Sequence, residues 1–343
     1  MNAKKNFMSC LECQDHTKTP TFLFDLTFGI GVAGYTAAEV FGNQFDGEKS
    51  AQSIIASRRL LGHDAVIGSV LAVDSRPFGS EMLFPQNGPP ITKKAAFSDP
   101  LDLYKHDANE INNQTMENII YSYNLVKKKD PEAFLIGHIP SPLLLATAFR
   151  GFETFMMDIA MDESYVDDLL KFSATVANIT QKRIIRECEP DCVIVSAAYD
   201  NVDLIGKDGL NKLSLPYIKN LVKNVSDEGK DTIFHPHGSL TSEYGVSSIK
   251  DILSSGIKCL YYGENNDPQC LSRHVGEHTS LMGGIDTFST IYLGTDSRII
   301  NDTMSVLNSM RHENYIFSCS CSIDYGLDAR RLKLMMDTVK KWG

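Results

Sequence analysis

Eight short apolar runs, spaced along the chain with helical patterns between them, constrain this fold more than any other feature. They are Thr21–Leu26, Asp64–Ile67, Ala133–His138, Cys192–Ala197, Asp231–His235, Ile257–Tyr262, Ser280–Ile285 and Asn314–Ser318. Most are apolar throughout rather than alternating, as expected of strands covered on both faces. Between them, Val166, Leu169, Leu170, Val176 and Ile179 keep helical spacing on one face. Residues 208–225 and 295–310 read as further helices. A last one opens at Leu327-Asp328, with Leu332, Met335, Met336 and Val339 as its apolar side. Eight such units predict an α/β protein, a (β/α)8 TIM barrel with an N-terminal helical extension, as one domain over residues 1–343. The runner-up is an open doubly wound sheet. Gly29-Ile30-Gly31 argues against it, because the third glycine and the later acidic partner of a dinucleotide fingerprint are missing.

A hydrophobic share of 43% supplies a normal core without disulfides, and a formal net charge of -10 argues against a nucleic-acid partner. Met1-Asn2-Ala3-Lys4-Lys5 leads into a polar segment rather than an apolar leader, and the best apolar run, Leu143–Ala148, is too short to span a membrane. The expectation is a cytoplasmic protein with no membrane contact, whose 8 cysteines serve as thiols or ligands. Cys10-Leu11-Glu12-Cys13 has the spacing of a redox or zinc pair, but no second pair lies nearby, so it reads as one exposed helical face.

The unusual polar residues gather at the ends of the runs. Asp25 ends the first and His138 the third; Tyr199 and Asp200 follow the fourth; His235 and His237 end the fifth. Glu264 and Asn265 follow the sixth, Asp286 the seventh, Cys319 and Cys321 the eighth. Barrel enzymes carry their chemistry at the C-terminal ends of the strands. The bland alternative is that loops after strands are polar in any protein and that some of these side chains only cap helices. Two motifs stand out. In His235-Pro236-His237-Gly238 the histidines are two residues apart, so on a strand both face one side. In Ser318-Cys319-Ser320-Cys321 a thiolate is within reach of the same end. Imidazole with thiolate suits Zn2+ better than other common metals.

Several segments, in order and at family-like spacing, resemble the uroporphyrinogen decarboxylase superfamily. Thr19-Pro20-Thr21-Phe22 looks like its opening strand, and Phe78-Gly79-Ser80-Glu81-Met82 is similar to its Leu-Gly-x-Glu-Val element. Gly137 to Gly151, with Pro142, resembles the strand and helix that begin with Gly-Pro-x-Thr. Leu215-Pro216-Tyr217 matches the helix after the fourth strand. Met282-Gly283-Gly284-Ile285-Asp286 looks like Gly-Asn-Ile-Asp, and Leu293-Gly294-Thr295 like Leu-x-Gly-Thr. The resemblance runs from about Cys10 to Trp342. The decarboxylase itself does not fit. Residues 25–34 hold no Arg for the carboxylates of a tetrapyrrole, and Val70 stands where the family has its essential Asp, with Asp74 nearby.

The corrinoid-dependent methyltransferase branch fits better. Its members bind zinc through a His-x-Cys after the fifth strand and a Cys after the eighth. The resemblance puts His235 on that His and Cys321 on the final Cys, while His237 stands in place of the first Cys. Cys319 is an alternative to Cys321, and Glu264 offers a fourth, oxygen ligand. The implied reaction moves a methyl group to or from a corrinoid (cobalamin) held on a small corrinoid-binding protein. Zinc acts as a Lewis acid on the leaving group of a methyl donor, or activates a thiol acceptor such as coenzyme M. Two imidazoles and one thiolate lean toward a small-molecule methyl donor, such as a methoxylated aromatic. Asp25, His138, Tyr199 and Asp200 would line the mouth. Readings from other classes are a member that binds a tetrapyrrole or partner without catalysis, and a binuclear hydrolase; the latter carries its His-x-His on the first strand, not the fifth.

Overall fold

The computed structural model describes residues 2–85, 90–311 and 313–343. Its main sheet has seven parallel strands, which neighbour one another in chain order: Ala65–Ile67, Phe134–Pro140, Cys192–Ala197, Thr232–Pro236, Cys259–Tyr261, Ser280–Ile285 and Tyr315–Cys319. All but Gly284 in these strands are buried, which is why their sequences are continuously apolar. Helices follow the strands and cover the sheet's outer side. The expected barrel is therefore present.

The first run departs from the expectation of a regular strand. Its residues touch both edges of the sheet through single bridges, Thr21 to Phe317, Phe22 to Ala65 and Asp25 to Ile323, and these close the barrel. The Asp64 carboxylate gives the reason. It accepts from the Thr21 amide at 2.9 Å and from the Thr21 hydroxyl at 2.8 Å, taking a donor that a ladder would otherwise use.

The helical extension, Ala3–Leu11, lies beneath the barrel, where Phe7 stacks on Phe134 with ring centroids 4.4 Å apart. That packing corrects the reading of Cys10 and Cys13 as an exposed face: Cys10 is fully buried in the core and only Cys13 reaches the surface. Caps fix where later helices begin. The Ser141 side chain accepts from Leu144 N ahead of Pro142–Arg150, with Pro142 in the first turn, and Asp328 caps Ala329–Trp342. Gly283, with φ of 145°, is needed where it stands: a Cβ would come within 2.8 Å of the Tyr262 carbonyl. No helix among the described residues is long and apolar enough to cross a membrane.

Candidate metal centre

The strand Thr232–Pro236 pairs in parallel with its neighbours so that His235 lies level with Ser196 on one side. His237 follows one residue past the strand end, and Gly238, with φ of 88°, turns the chain away where a Cβ would collide with Asn201 and Asp203. Cys321 arrives from beyond the strand Tyr315–Cys319. There Ser320 N donates to Ile285 O at 2.6 Å and anchors the turn. One ligand atom from each of His235, His237 and Cys321 lies within 4.8 Å of the others, the only such group among the described residues. His237 Nε2 is 3.4 Å from Cys321 Sγ.

The geometry and protonation of these groups suit a metal ion. His235 donates from Nδ1 to the Tyr261 carbonyl at 2.9 Å, which fixes the tautomer and leaves the lone pair on Nε2. That Nε2 is buried and has no hydrogen-bond partner, a state that costs free energy unless something coordinates it. Burial pushes the His235 imidazole down to about 3, and it lowers His237 too, so both remain neutral ligands. Burial pushes the Cys321 thiol up to about 11. A cation would be needed to hold the thiolate at neutral pH. Two imidazoles and a thiolate are a chemically consistent donor set for Zn2+.

The turn after the strand separates the two cysteines, since residues two apart on a continuous strand would share a side. Cys319 ends its strand facing outward, its sulfur 4.0 Å from Met335 Sδ under the last helix. Cys321 lies beyond the strand and joins the histidines. Glu264 is exposed and faces the same opening without entering the close group.

The four residues expected at the mouth separate. His138 is beside the centre, its Nε2 2.8 Å from Ser196 Oγ, and burial pushes it down to about 4. The Phe24 ring stands edge-on to both His138 and His235. Tyr199 is half-buried and packs its ring on Phe152. Asp200 is buried and accepts from the Ser141 and Ser214 hydroxyls, each at 2.5 Å, tying two helix starts to the strand end. Burial raises its carboxyl to about 6. Asp25 accepts from Gly29 N with both oxygens at 3.0 Å, and burial raises it to about 7. Both carboxylates thus hold backbone and helix ends together.

Tyr261 is the residue that the sequence reading passed over. Its ring stacks on His235 at 3.8 Å, and its carbonyl orients that imidazole. Its hydroxyl donates toward the carbonyls of Cys319 and Cys321, at 2.9 and 3.3 Å, and accepts from Ser318 Oγ at 3.0 Å. In the sequence it is one apolar member of a buried run.

Two cavities flank the centre. One of 290 Å3 touches all three ligands and is walled by residues such as Phe24, Leu145 and His138. The other, of 560 Å3, touches His237 and Cys321 and carries Glu264, Asp286, Phe288, Tyr292 and Asp324.

The sequence profile of the family described as uroporphyrinogen decarboxylase (URO-D) matches residues 2–342. The chain belongs to that family. A methylcobamide:CoM methyltransferase, MtbA, from Methanosarcina mazei is 21% identical over 300 residues, covering 87% of this chain and 85% of its own. The protein of the same name from Methanosarcina acetivorans is 22% identical over 266 residues, covering 77% and 76%. Among solved structures, a methyltransferase from Methanosarcina mazei superposes with a TM-score of 0.84 at 16% identity, over 99% of both chains. A B12-independent methionine synthase from Shewanella sp. gives 0.57 at 11% identity, covering 94% and 96%. These likenesses establish the barrel. Within the family, the residues that would mark a decarboxylase differ here. Val70 is apolar and buried. Asp74 is engaged with Arg76 at 2.8 Å and with the Thr115 hydroxyl at 3.2 Å.

Proposed function

We propose that this protein is a zinc-dependent methyltransferase. It moves a methyl group between a small molecule and the cobalt of a corrinoid presented by a small partner protein. The observation that carries the reading is the trio of buried His235 and half-buried His237 and Cys321, with the unpaired Nε2 of His235 at its heart. The names of the two sequence relatives support the corrinoid part. When bound, zinc supplies a Lewis acid that stabilises a leaving oxygen, or a thiolate if the small molecule is a thiol. The chain's own residues do the rest. Tyr261 holds the His235 tautomer, and the apolar wall of the smaller cavity excludes water from the methyl group. His138 and Ser196 form a hydrogen-bonded pair in that wall, suited to orienting a substrate.

The favoured direction is removal of a methyl group from a donor such as a methoxylated aromatic. A set of two neutral imidazoles and one thiolate leaves a bound divalent ion with more positive charge than a set with two thiolates. A second reading, transfer to a thiol acceptor, is favoured by the names of the relatives, which are CoM methyltransferases. The test mixes the zinc-loaded protein with a carrier holding reduced cobalamin and screens methoxylated aromatics, methylamines and methanol as donors. Coenzyme M is screened as acceptor from the methylated carrier. The expected result is the absorption spectrum of methylated cobalamin with a donor, lost in His235→Ala. Equal transfer by zinc-free protein would refute the mechanism.

A further inference from the structure

The smaller cavity is the only one of the two flanking cavities that reaches all three candidate ligands. Apart from those three, its polar side chains are His138 and Ser196, which are bonded to each other. The remaining wall includes Phe24, Leu26, Val73, Leu144, Leu145 and Ala148. Neither this cavity nor its wider neighbour has a Lys or Arg among the described residues that line it, and the neighbour adds the carboxylates of Glu264, Asp286 and Asp324.

We propose that this cavity binds the methyl-bearing small molecule and is selective by charge and size: it takes an uncharged molecule of about one aromatic ring and turns anions away. The proposal rests on the methyltransferase reading above and narrows it. Size follows from volume. An apolar protein cavity of ~150 Å3 accommodates benzene, so one of 290 Å3 holds a single ring with small substituents and is far too small for a corrinoid. Charge follows from the lining. A carboxylate or sulfonate taken out of water needs a guanidinium, an ammonium or several donors, and without them its desolvation is uncompensated. The wall offers one hydroxyl and one imidazole that pair through Nε2, leaving only the buried His138 Nδ1, fewer donors than a carboxylate needs. The carboxylates next door add repulsion. An anionic thiol therefore has no counter-ion at its far end, so this chain is expected to differ in small-molecule partner from the relatives named for CoM.

The test is a binding measurement on the full, metal-free chain by calorimetry, so that no ion coordinates a carboxylate, with 4-methoxybenzamide and 4-methoxybenzoate. These probes share a shape and differ in charge. The amide is expected to bind at least about tenfold more tightly. Ala148 is exposed in the last turn of its helix, where Arg is favourable, so Ala148→Arg leaves the fold intact and places a cation at the cavity edge. In that variant the preference is expected to shrink or invert. Ala72→Phe, on the half-buried loop that lines the cavity, is expected to weaken the amide about tenfold or more. Benzoate binding as tightly as amide to the parent chain, neither probe binding, or Ala72→Phe leaving the amide unaffected would each overturn the proposal. Failure of the functional reading looks different: the charge preference is present, but no donor methylates the corrinoid.

Discussion

Replacing Tyr261 by Phe tests whether the metal centre is built as described, because one atom is removed and its neighbours are known. The ring stays against His235 and the backbone carbonyl still accepts from Nδ1. What disappears is the hydroxyl that donates to the Cys319 and Cys321 carbonyls and accepts from Ser318. Two net hydrogen bonds at about 1 kcal/mol each, plus part of the cost of an unpaired buried Ser318 hydroxyl, sum to about 2–4 kcal/mol of folding stability. The hydroxyl also fixes the turn that carries Cys321, and loss of such an outer partner typically weakens a metal site about 10–100-fold. Because the His235 orientation survives, the lower end, about tenfold, is expected. Competition against a chromophoric zinc chelator at pH 7 measures the affinity, and urea unfolding of the metal-free protein measures the stability. A stability loss of the expected size with zinc affinity unchanged within about twofold would refute the link between this hydroxyl and the Cys321 ligand.

Three further outcomes follow from the same geometry. Elemental analysis should find about one zinc per chain, with His235→Ala and Cys321→Ala losing most of it and Cys319→Ala retaining it, since Cys319 faces Met335. Zinc affinity should rise about tenfold per pH unit between pH 7 and 9, because Cys321, a thiol up to about 11, must give up one proton while the buried histidines are already neutral; a flat profile in the parent chain would count against a thiolate ligand. Asp25 titrates near 7 when folded and near ~3.9 when unfolded, so the native state holds the extra proton between those values and stability falls as pH rises from about 4 to 7. Asp25→Asn should remove a decline of about 3–4 kcal/mol from urea-derived stabilities compared at pH 4.5 and 7.5; an unchanged slope would show that Asp25 is not the group responsible.

The barrel was legible because burial on both faces leaves a continuous apolar signature, and seven of the eight runs form ladders in chain order. The first run was legible as a position but not as an irregular one, since nothing local reveals that Asp64, far along the chain, takes the Thr21 amide. His235 and His237 were readable as a pair because residues two apart at a strand end share a side. Cys321 came from the family resemblance, and it parts from Cys319 because the strand ends at Cys319 and the chain turns at Ser320. Asp25 and Asp200 illustrate the limit of the approach. A carboxylate after a strand reads alike whether it faces a substrate or a helix end. Only the fold brings Gly29 N to the first, and the Ser141 and Ser214 hydroxyls to the second. Tyr261 was hidden for the opposite reason: an aromatic inside a buried run needs no function to explain it, and its four polar partners are contributed by another strand end and by a histidine 26 residues away.

The departure at position 237 and the uncharged wall of the smaller cavity bear on the same question. Had a cysteine followed His235, two thiolates and one imidazole would neutralise a divalent ion, and a bound thiol would keep strong nucleophilic character. With His237 there instead, burial holds both imidazoles neutral and only Cys321 contributes negative charge. A divalent ion in this set retains one net positive charge, which favours stabilising an oxygen as it leaves rather than sharpening a sulfur as it attacks. The neighbouring wall points the same way, since it offers an apolar, ring-sized space and no cation for the acidic end of an anionic thiol. Ligand charge and cavity charge arise from different segments of the chain, His237 from the end of one strand and the apolar wall largely from the helix Pro142–Arg150 and the loop around Val73. The first argues for a methyl donor with an oxygen leaving group and the second for an uncharged one, and the two screens, transfer by direction and binding by charge, test them separately.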